Sequence, residues 1–509
     1  MLKPPHPPIP FAPFLSLKRN QAAGTDSPST LGLVSRLSQI LADEGIEYCH
    51  WKSNTFLDRT ACGDNDLDLL VRRAHTQRFM EILQQLDFKE TRLPASEELP
   101  GVRNFYGFDH PSGRLIHVHA HFQLILGNDL SKNYHLPVER AYLASAAQGT
   151  LLRLPAREFE LLVFVIRMTL KHSTWDALLM RHGQLSSSER DELADLADAP
   201  TLTRIDPILR HIPNLDRALF DLCLRSLQPG CPVGLRIRAG ERLQRILRAC
   251  ARRLHVSDVL LKFWHRLSQP IQRRAFHRVP KNRFASGGLF IAIVGGDGAG
   301  KTTVLDGLNE WLAGKFEVRR VHMGKPVWSQ MTTLVRGLLK VGTILRLYRF
   351  EGDTYEESFQ PHGLPWFLRT VCTARDRALT YLRARRFSMN GGLVLCDRYS
   401  LAGFLQMDGP QCGQALSNLE HPSRLHEFLA EREAAYYRSI QPPDLLIVLK
   451  LDPETAVQRK ADETAASVRA RSSEVWRLDW EKISGFEVDA SGSREQTLAR
   501  VQALIWEHL

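Results

Sequence analysis

The stretch Gly295–Thr303, GGDGAGKTT, stands between an apolar, strand-like run at Phe290–Val294 (FIAIV) and a helix-like run at Thr302–Leu312 (TTVLDGLNEWL). Gly295, Gly300, Lys301 and Thr302 meet the pattern G-x-x-x-x-G-K-T in that strand-to-helix setting. Glycines allow successive backbone N–H groups to turn inward around phosphate oxygens, and the start of a helix adds partial positive charge. Lys301 is expected to reach the β- and γ-phosphates and the Thr302 hydroxyl to ligate Mg²⁺, with Gly298 and Thr303 completing the cradle.

Outward from this loop, the apolar runs LFIAIVG, LVLCD, DLLIVLKL and FEVDAS alternate with helical stretches from Leu289 onward. That rhythm predicts a parallel sheet wrapped by helices. A metal-holding carboxylate is expected at the end of a neighbouring strand, and GGLVLCDRYS supplies Asp397 with Arg398 beside it.

The ordered set GGDGAGKTT, TARDRA, LVLCDRY, PPDLLIVLKLDPETAVQR and FEVDASGS resembles the thymidylate kinase family of P-loop nucleoside monophosphate kinases. The resemblance covers about two-fifths of the chain. It implies a phosphotransferase that uses ATP and Mg²⁺ and takes a small nucleotide, dTMP first. It further implies that Asp297 holds the acceptor's sugar hydroxyl, that Arg398 clamps the acceptor phosphate, and that Arg377 lies against the acceptor base. Gly298 stands where some members carry a catalytic arginine, and a lid after DPE offers Arg459, Lys460, Arg469 and Arg471 instead. Three positions depart from the family. Thr373 stands where an aromatic residue stacks on thymine, RRVHMGKPVWSQ with Lys325 replaces an arginine-bearing loop, and the tyrosine and asparagine expected after DRY are not plainly present.

The chain has 509 residues, enough for several cores, with an ordinary 43% hydrophobic and 24% charged composition. Net charge is +11, which favours an anionic partner such as a nucleotide, a lipid surface in peripheral contact or, as the minor option, nucleic acid. Eight scattered cysteines without a CxxC pair suggest neither zinc ribbon nor disulfide framework, and so a reducing cytoplasm. The proline-rich residues 1–30 read as a disordered arm, followed by a mixed α/β unit at 31–150, a helical connector with a basic face at 151–285, and the kinase-like unit at 286–509. Between Arg236 and Arg283, fourteen lysines and arginines face only Glu241 and Asp258. MTTLVRGLLKVGTILRLYRF, Met331–Phe350, is apolar and basic together, leaving open a helix packed in the core with snorkelling ends or one lying at a membrane interface. The oligomeric state is open, a homodimer included.

The front unit carries YCHWKSNTFLDRTACGDNDLDLLV, residues 48–71, which resembles the nucleotidyltransferase superfamily. The resemblance implies a turn at Lys52, Ser53 and Asn54, then a strand bearing Asp66 and Asp68, with Asp64 of the same parity. Carboxylates one residue apart share a strand face and can bridge two Mg²⁺ ions. His117 stands where the superfamily has its third carboxylate. His117, His119 and His121 share one face in RLIHVHAHFQLIL, as a transition-metal site would require. Arg167 and His172 have an R-x4-H spacing found in some helical ribonuclease-like domains, although the same helix can simply extend the front unit. The expected fold is therefore α/β throughout: a nucleotidyltransferase-like unit, a helical connector and a P-loop kinase. Open beside dTMP are a sugar or glycan-linked acceptor at a membrane surface and a nucleotide-binding regulator.

Overall fold

The computed structural model describes residues 30–509 except 96, 129–130, 175–177, 179–182, 276–280, 346, 348–362, 401–408 and 461–463. The arm at 1–29, together with Arg346 and Arg349, therefore lies outside the described residues.

Strands β1 (Tyr48–His50), β2 (Leu67–Val71), β3 (Lys89–Arg92), β4 (Val102–Asp109), β5 (Arg114–His121) and β6 (Arg283–Phe284) form one sheet in the order β1-β2-β5-β4-β3-β6. β2 and β5 run parallel and the other neighbours antiparallel. Helix α1 (Gly32–Asp43) presents Val34, Leu37 and Leu41 at helical spacing, and α2 (Thr76–Gln85) presents Phe79, Ile82 and Leu83, to one face of this sheet. RLIHVHAHFQLIL is not one strand. β5 ends at His121, where its partner β4 begins at Val102, and Ile125–Leu126 instead pairs with Tyr134–His135.

Helices α3 (Arg157–His172), α4 (Ser187–Leu196), α5 (Arg217–Ser226), α6 (Val233–Ile246) and α7 (His255–Ala275) follow. α3 buries residues all round, and its core includes Cys49, Trp51 and Leu70 of the front sheet. Ser186 and Glu189 close a reciprocal capping box at the start of α4. α7 exposes Val256, Leu260, Phe263, Trp264 and Leu267. The stretch RVPKNRFASGG, read as a linker, contributes β6: Phe284 takes the sheet edge beside β3 and packs on Phe316 and Trp506.

The second sheet has strands β7 (Phe290–Gly295), β8 (Val318–His322), β9 (Leu393–Asp397), β10 (Leu445–Lys450) and β11 (Gly485–Asp489) in the order β8-β9-β7-β10-β11, all parallel. Its helices are α8 (Lys301–Ala313), α9 (Gln330–Ile344), α10 (Leu364–Met389), α11 (Arg424–Arg438), α12 (Pro453–Arg459), α13 (Ala465–Arg477) and α14 (Arg494–Glu507). Alternation divides its strands between two cores. Ile291, Ile293, Leu393, Leu395, Ile447 and Leu449 meet α8 and α14, whereas Phe290, Ala292, Val394, Cys396, Leu446 and Val448 meet α10 and α13. This parallel sheet with helices on both faces is compatible with a P-loop kinase-like fold. Tyr106 and Phe108 of β4 join the α8–α14 core, so the two sheets share apolar contacts.

Among the described residues no helix is long and apolar enough to cross a membrane. α9 turns Met331, Leu334, Leu338 and Val341 outward at helical spacing, and Leu345 follows them. Core packing of this stretch is thus not what its first part does.

Candidate functional site

β7 is the central strand of its sheet, and the chain leaves it for α8 at the carboxyl end, beside the point where the strand order reverses. Such a crevice is where open parallel sheets bind ligands. Gly300, immediately before α8, has φ +82°, a left-handed backbone that glycine adopts without a Cβ clash. A Cβ at Gly296 would lie 2.8 Å from Ser472 Oγ, so α13 rests directly on the loop there. Ser472 was not among the sequence-predicted residues; nothing in its local pattern marks it.

Lys301 is half-buried, and its Nζ donates to the carbonyls of Gly295 at 2.9 Å and Gly296 at 2.7 Å, folding the side chain across the loop. Asp297 is buried, Thr302 is exposed on the first turn of α8, and Thr303 follows half-buried. Asp397 ends β9 in register with Ile293 of β7 and His322 of β8, with His322 Nε2 3.9 Å from its carboxylate. Arg398 follows at φ +58°. Burial pushes the Lys301 ammonium down to about 8; Asp297 and Asp397 oppose this, and Arg398 and Lys460 add to it. Asp297, Asp397, Arg398 and Lys460 are therefore all near enough to act on the Lys301 ammonium.

That depressed pKa has a measurable consequence. Between about pH 8 and the ordinary lysine range, the unfolded chain binds a proton that the folded site does not, so stability without nucleotide rises with pH across this window. A triphosphate restores the charge on Lys301. Its binding above pH 8 is then expected to take up a proton and to weaken by up to about tenfold per pH unit. Calorimetry of ATP binding at about pH 8.5, in two buffers of different ionisation enthalpy, reads the proton directly; equal heats in both would contradict this.

The remaining predicted residues are less uniformly placed. Arg377 is buried, donating Nε to Met323 O at 3.0 Å and Nη2 to Gly324 O at 3.3 Å, with a further bond to the Tyr437 hydroxyl. These bonds fix it to the backbone that follows β8. Arg459 bonds the carbonyls of Ala490 and Ser491, and Arg469 forms two hydrogen bonds with Glu454 at 2.7 and 2.8 Å. Arg459 Cβ lies 3.6 Å from where a Cβ at Gly298 would stand, so this residue flanks the loop. The Arg471 side chain lies outside the described residues.

Asp376 and Trp328 were not singled out in the sequence, and both lie by Thr373 or its helix. Asp376 is buried and accepts from Ser329 N at 3.2 Å. Thr373 Oγ1 accepts from Arg336 Nη2 at 3.2 Å, and that guanidinium sits 4.2 Å over the Trp328 ring. An aromatic residue is thus present near Thr373, but brought from another segment. Trp328, Arg336, Lys340 and Arg369 line a cavity of about 480 Å³, whereas Lys325 is exposed beside His322.

In the front sheet, β2 pairs with β5 in parallel so that Asp68 stands opposite His119. Asp68 is buried; Lys52 Nζ lies 2.8 Å from its Oδ1 and His119 Nδ1 3.0 Å. Burial works to raise the Asp68 carboxyl, but Lys52, His119 and His121 outweigh it and hold the group well below its ordinary range. Asp66 instead takes His117 Nδ1 at 2.9 Å, and His117 Nε2 contacts Asn104 Oδ1. The two carboxylates are thus each met by histidine. Asp64 pairs outward with Arg114. Ser53 has φ +60°, a left-handed backbone, and its N–H donates to Glu192 of α4, as does Arg167. His172 goes to Glu189, one turn before Glu192 on the same helix.

No family model matches the chain. The uncharacterized ATP-binding protein YghR of Escherichia coli is 26% identical over 42% of this chain and 86% of its own length. YghS of the same organism, likewise called an uncharacterized ATP-binding protein, is 26% identical over 41% and 88%. The thymidylate kinase of Shouchella clausii is 28% identical over 39% of this chain and 76% of its own. These likenesses support a nucleotide-binding, kinase-like region with ATP as ligand.

Proposed function

We propose that residues 286–509 form a P-loop kinase that moves the γ-phosphate of MgATP to a nucleoside monophosphate, with dTMP the leading acceptor. The observation that carries this reading is the convergence of Lys301, Asp297, Asp397 and Arg398 at the carboxyl end of the central strands. The likeness to thymidylate kinases supports dTMP as that acceptor. Thr302 and Asp397 offer oxygen donors of the kind Mg²⁺ prefers, and the ion would supply charge neutralisation between the β- and γ-phosphates. Lys301 would leave the Gly295 and Gly296 carbonyls for phosphate oxygens, Asp297 would accept from a sugar hydroxyl, and Arg398 would hold the acceptor phosphate. The test is ATP consumption by the full chain with Mg²⁺ across a panel of nucleoside monophosphates. Turnover of dTMP at least about tenfold above ATP hydrolysis alone supports the reading, whereas ATP binding without turnover of any monophosphate rejects it.

A second reading keeps the phosphoryl transfer and changes the acceptor to a sugar or glycan-linked molecule at an anionic membrane surface. It is favoured by the outward apolar row on α9 with Arg336 and Lys340 beside it, next to the cavity at Trp328. For residues 31–150 we infer a nucleotidyltransferase-like framework, supported by the turn at Ser53 and the parallel pairing of β2 with β5.

A further inference from the structure

The distances inside the front-sheet cluster determine what it can hold. His119 Nδ1 stands 3.0 Å from Asp68 Oδ1 and 3.3 Å from His121 Nε2, and His121 Nε2 is 3.8 Å from the same carboxylate oxygen. Ligand atoms about 2.1 Å from a shared ion lie about 3.0 to 3.4 Å apart in octahedral or tetrahedral geometry. Two edges of the triangle already have that length, and the third exceeds it by a few tenths of an ångström. The register creates this arrangement: alternation along β5 sends His119 and His121 to one face, and the parallel partner β2 brings Asp68 opposite His119.

Protons serve the cluster less well. With a hydrogen on His119 Nδ1, Asp68 and His121 would compete for it; with the hydrogen on His121 Nε2 instead, the bare His119 Nδ1 would face the Asp68 carboxylate oxygen lone pair to lone pair at 3.0 Å. A cation at the centre meets a lone pair from each of the three atoms. We propose that Asp68, His119 and His121 bind one divalent transition-metal ion. Two imidazoles and one carboxylate favour zinc and its neighbours over magnesium, which prefers an all-oxygen shell.

The site has one open side. His119 also lines a cavity of about 430 Å³ with Asp66, His117, Asn104, Asn282 and Arg92. Coordination positions turned toward that cavity would take water or an anionic oxygen ligand. Lys52 is the competing cation, with Nζ 2.8 Å from Asp68 Oδ1. Loading an ion requires this flexible side chain to move to the other carboxylate oxygen or out of the cluster.

The experiment titrates the chelator-treated full chain with Zn²⁺ against a chromophoric competitor, and in parallel with Co²⁺, whose visible bands report nitrogen coordination. One equivalent of Zn²⁺ is expected to bind, undisplaced by a large excess of Mg²⁺. His119→Gln and His121→Gln are each expected to weaken it by about 100-fold or more and to alter the Co²⁺ spectrum. Lys52→Met removes the competing ammonium and is expected to tighten binding, an effect no unfolding of the variant could mimic. Unchanged binding in both histidine variants would assign the metal to other surface histidines and overturn the proposal. So would weaker binding in a folded Lys52→Met protein, or displacement of the ion by Mg²⁺.

Discussion

Lys301→Ala is expected to lower the rate of phosphoryl transfer from ATP by about 100- to 1000-fold, the usual cost of removing one preorganised charge from a transition state. The melting temperature should not fall with it. The side chain is half-buried and its ammonium is disfavoured by burial, so removing it takes away an electrostatic burden rather than a packing contact. Lys301→Arg should not restore the rate, because a planar fork cannot occupy the space of an ammonium held between the Gly295 and Gly296 carbonyls. Steady-state kinetics with Mg²⁺ and the best acceptor, beside a thermal melt, check both halves. A variant with normal rates would remove Lys301 from the chemistry.

The largest effect on stability is expected at Trp506. Its ring is fully buried among Phe108 of β4, Phe284 of β6 and Trp311 of α8, and its indole N–H donates to Asp87 O at 3.2 Å. Trp506→Ala leaves a cavity at the place where the two sheets meet and should cost about 3 to 5 kcal/mol. Trp506→Phe keeps most of the apolar area and should cost less, with about 1 kcal/mol of its loss assignable to the missing hydrogen bond. Urea unfolding followed by far-ultraviolet circular dichroism measures both. Equal midpoints for Trp506→Ala and the parent would mean that the contact between the sheets contributes nothing to folding.

How far the sequence reveals all this depends on whether a feature is local. The loop at Gly295–Thr303, the strand run ending in Asp397 and the capping box at Ser186 are local patterns, and each can be read directly because neighbours in the chain make the structure. Three features are not local. Trp328 reaches the neighbourhood of Thr373 through the packing of α9 on α10, and no spacing within either segment announces it. The meeting of Asp68 with His119 requires knowing that β2 and β5 are parallel and in which register. Arg377 donates to the backbone at Met323 and Gly324 and to the Tyr437 hydroxyl, partners set by tertiary position alone. The same holds for α9, where apolar residues that suggested a core face solvent instead.

The short strand β6 also governs how the chain can be divided. Phe284 N donates to Gly391 O at 2.9 Å, Ala285 N donates to Glu90 O at 2.9 Å, and Arg283 pairs with Arg92 across the edge of the front sheet. A fragment that stops before residue 283 would leave β3 as an uncovered edge, with a row of backbone donors and acceptors open to other chains. A fragment that starts at residue 286 would bare the aromatic surface around Phe316 and Trp506. Solubility, more than activity, is therefore the property that each half forfeits when it is expressed alone.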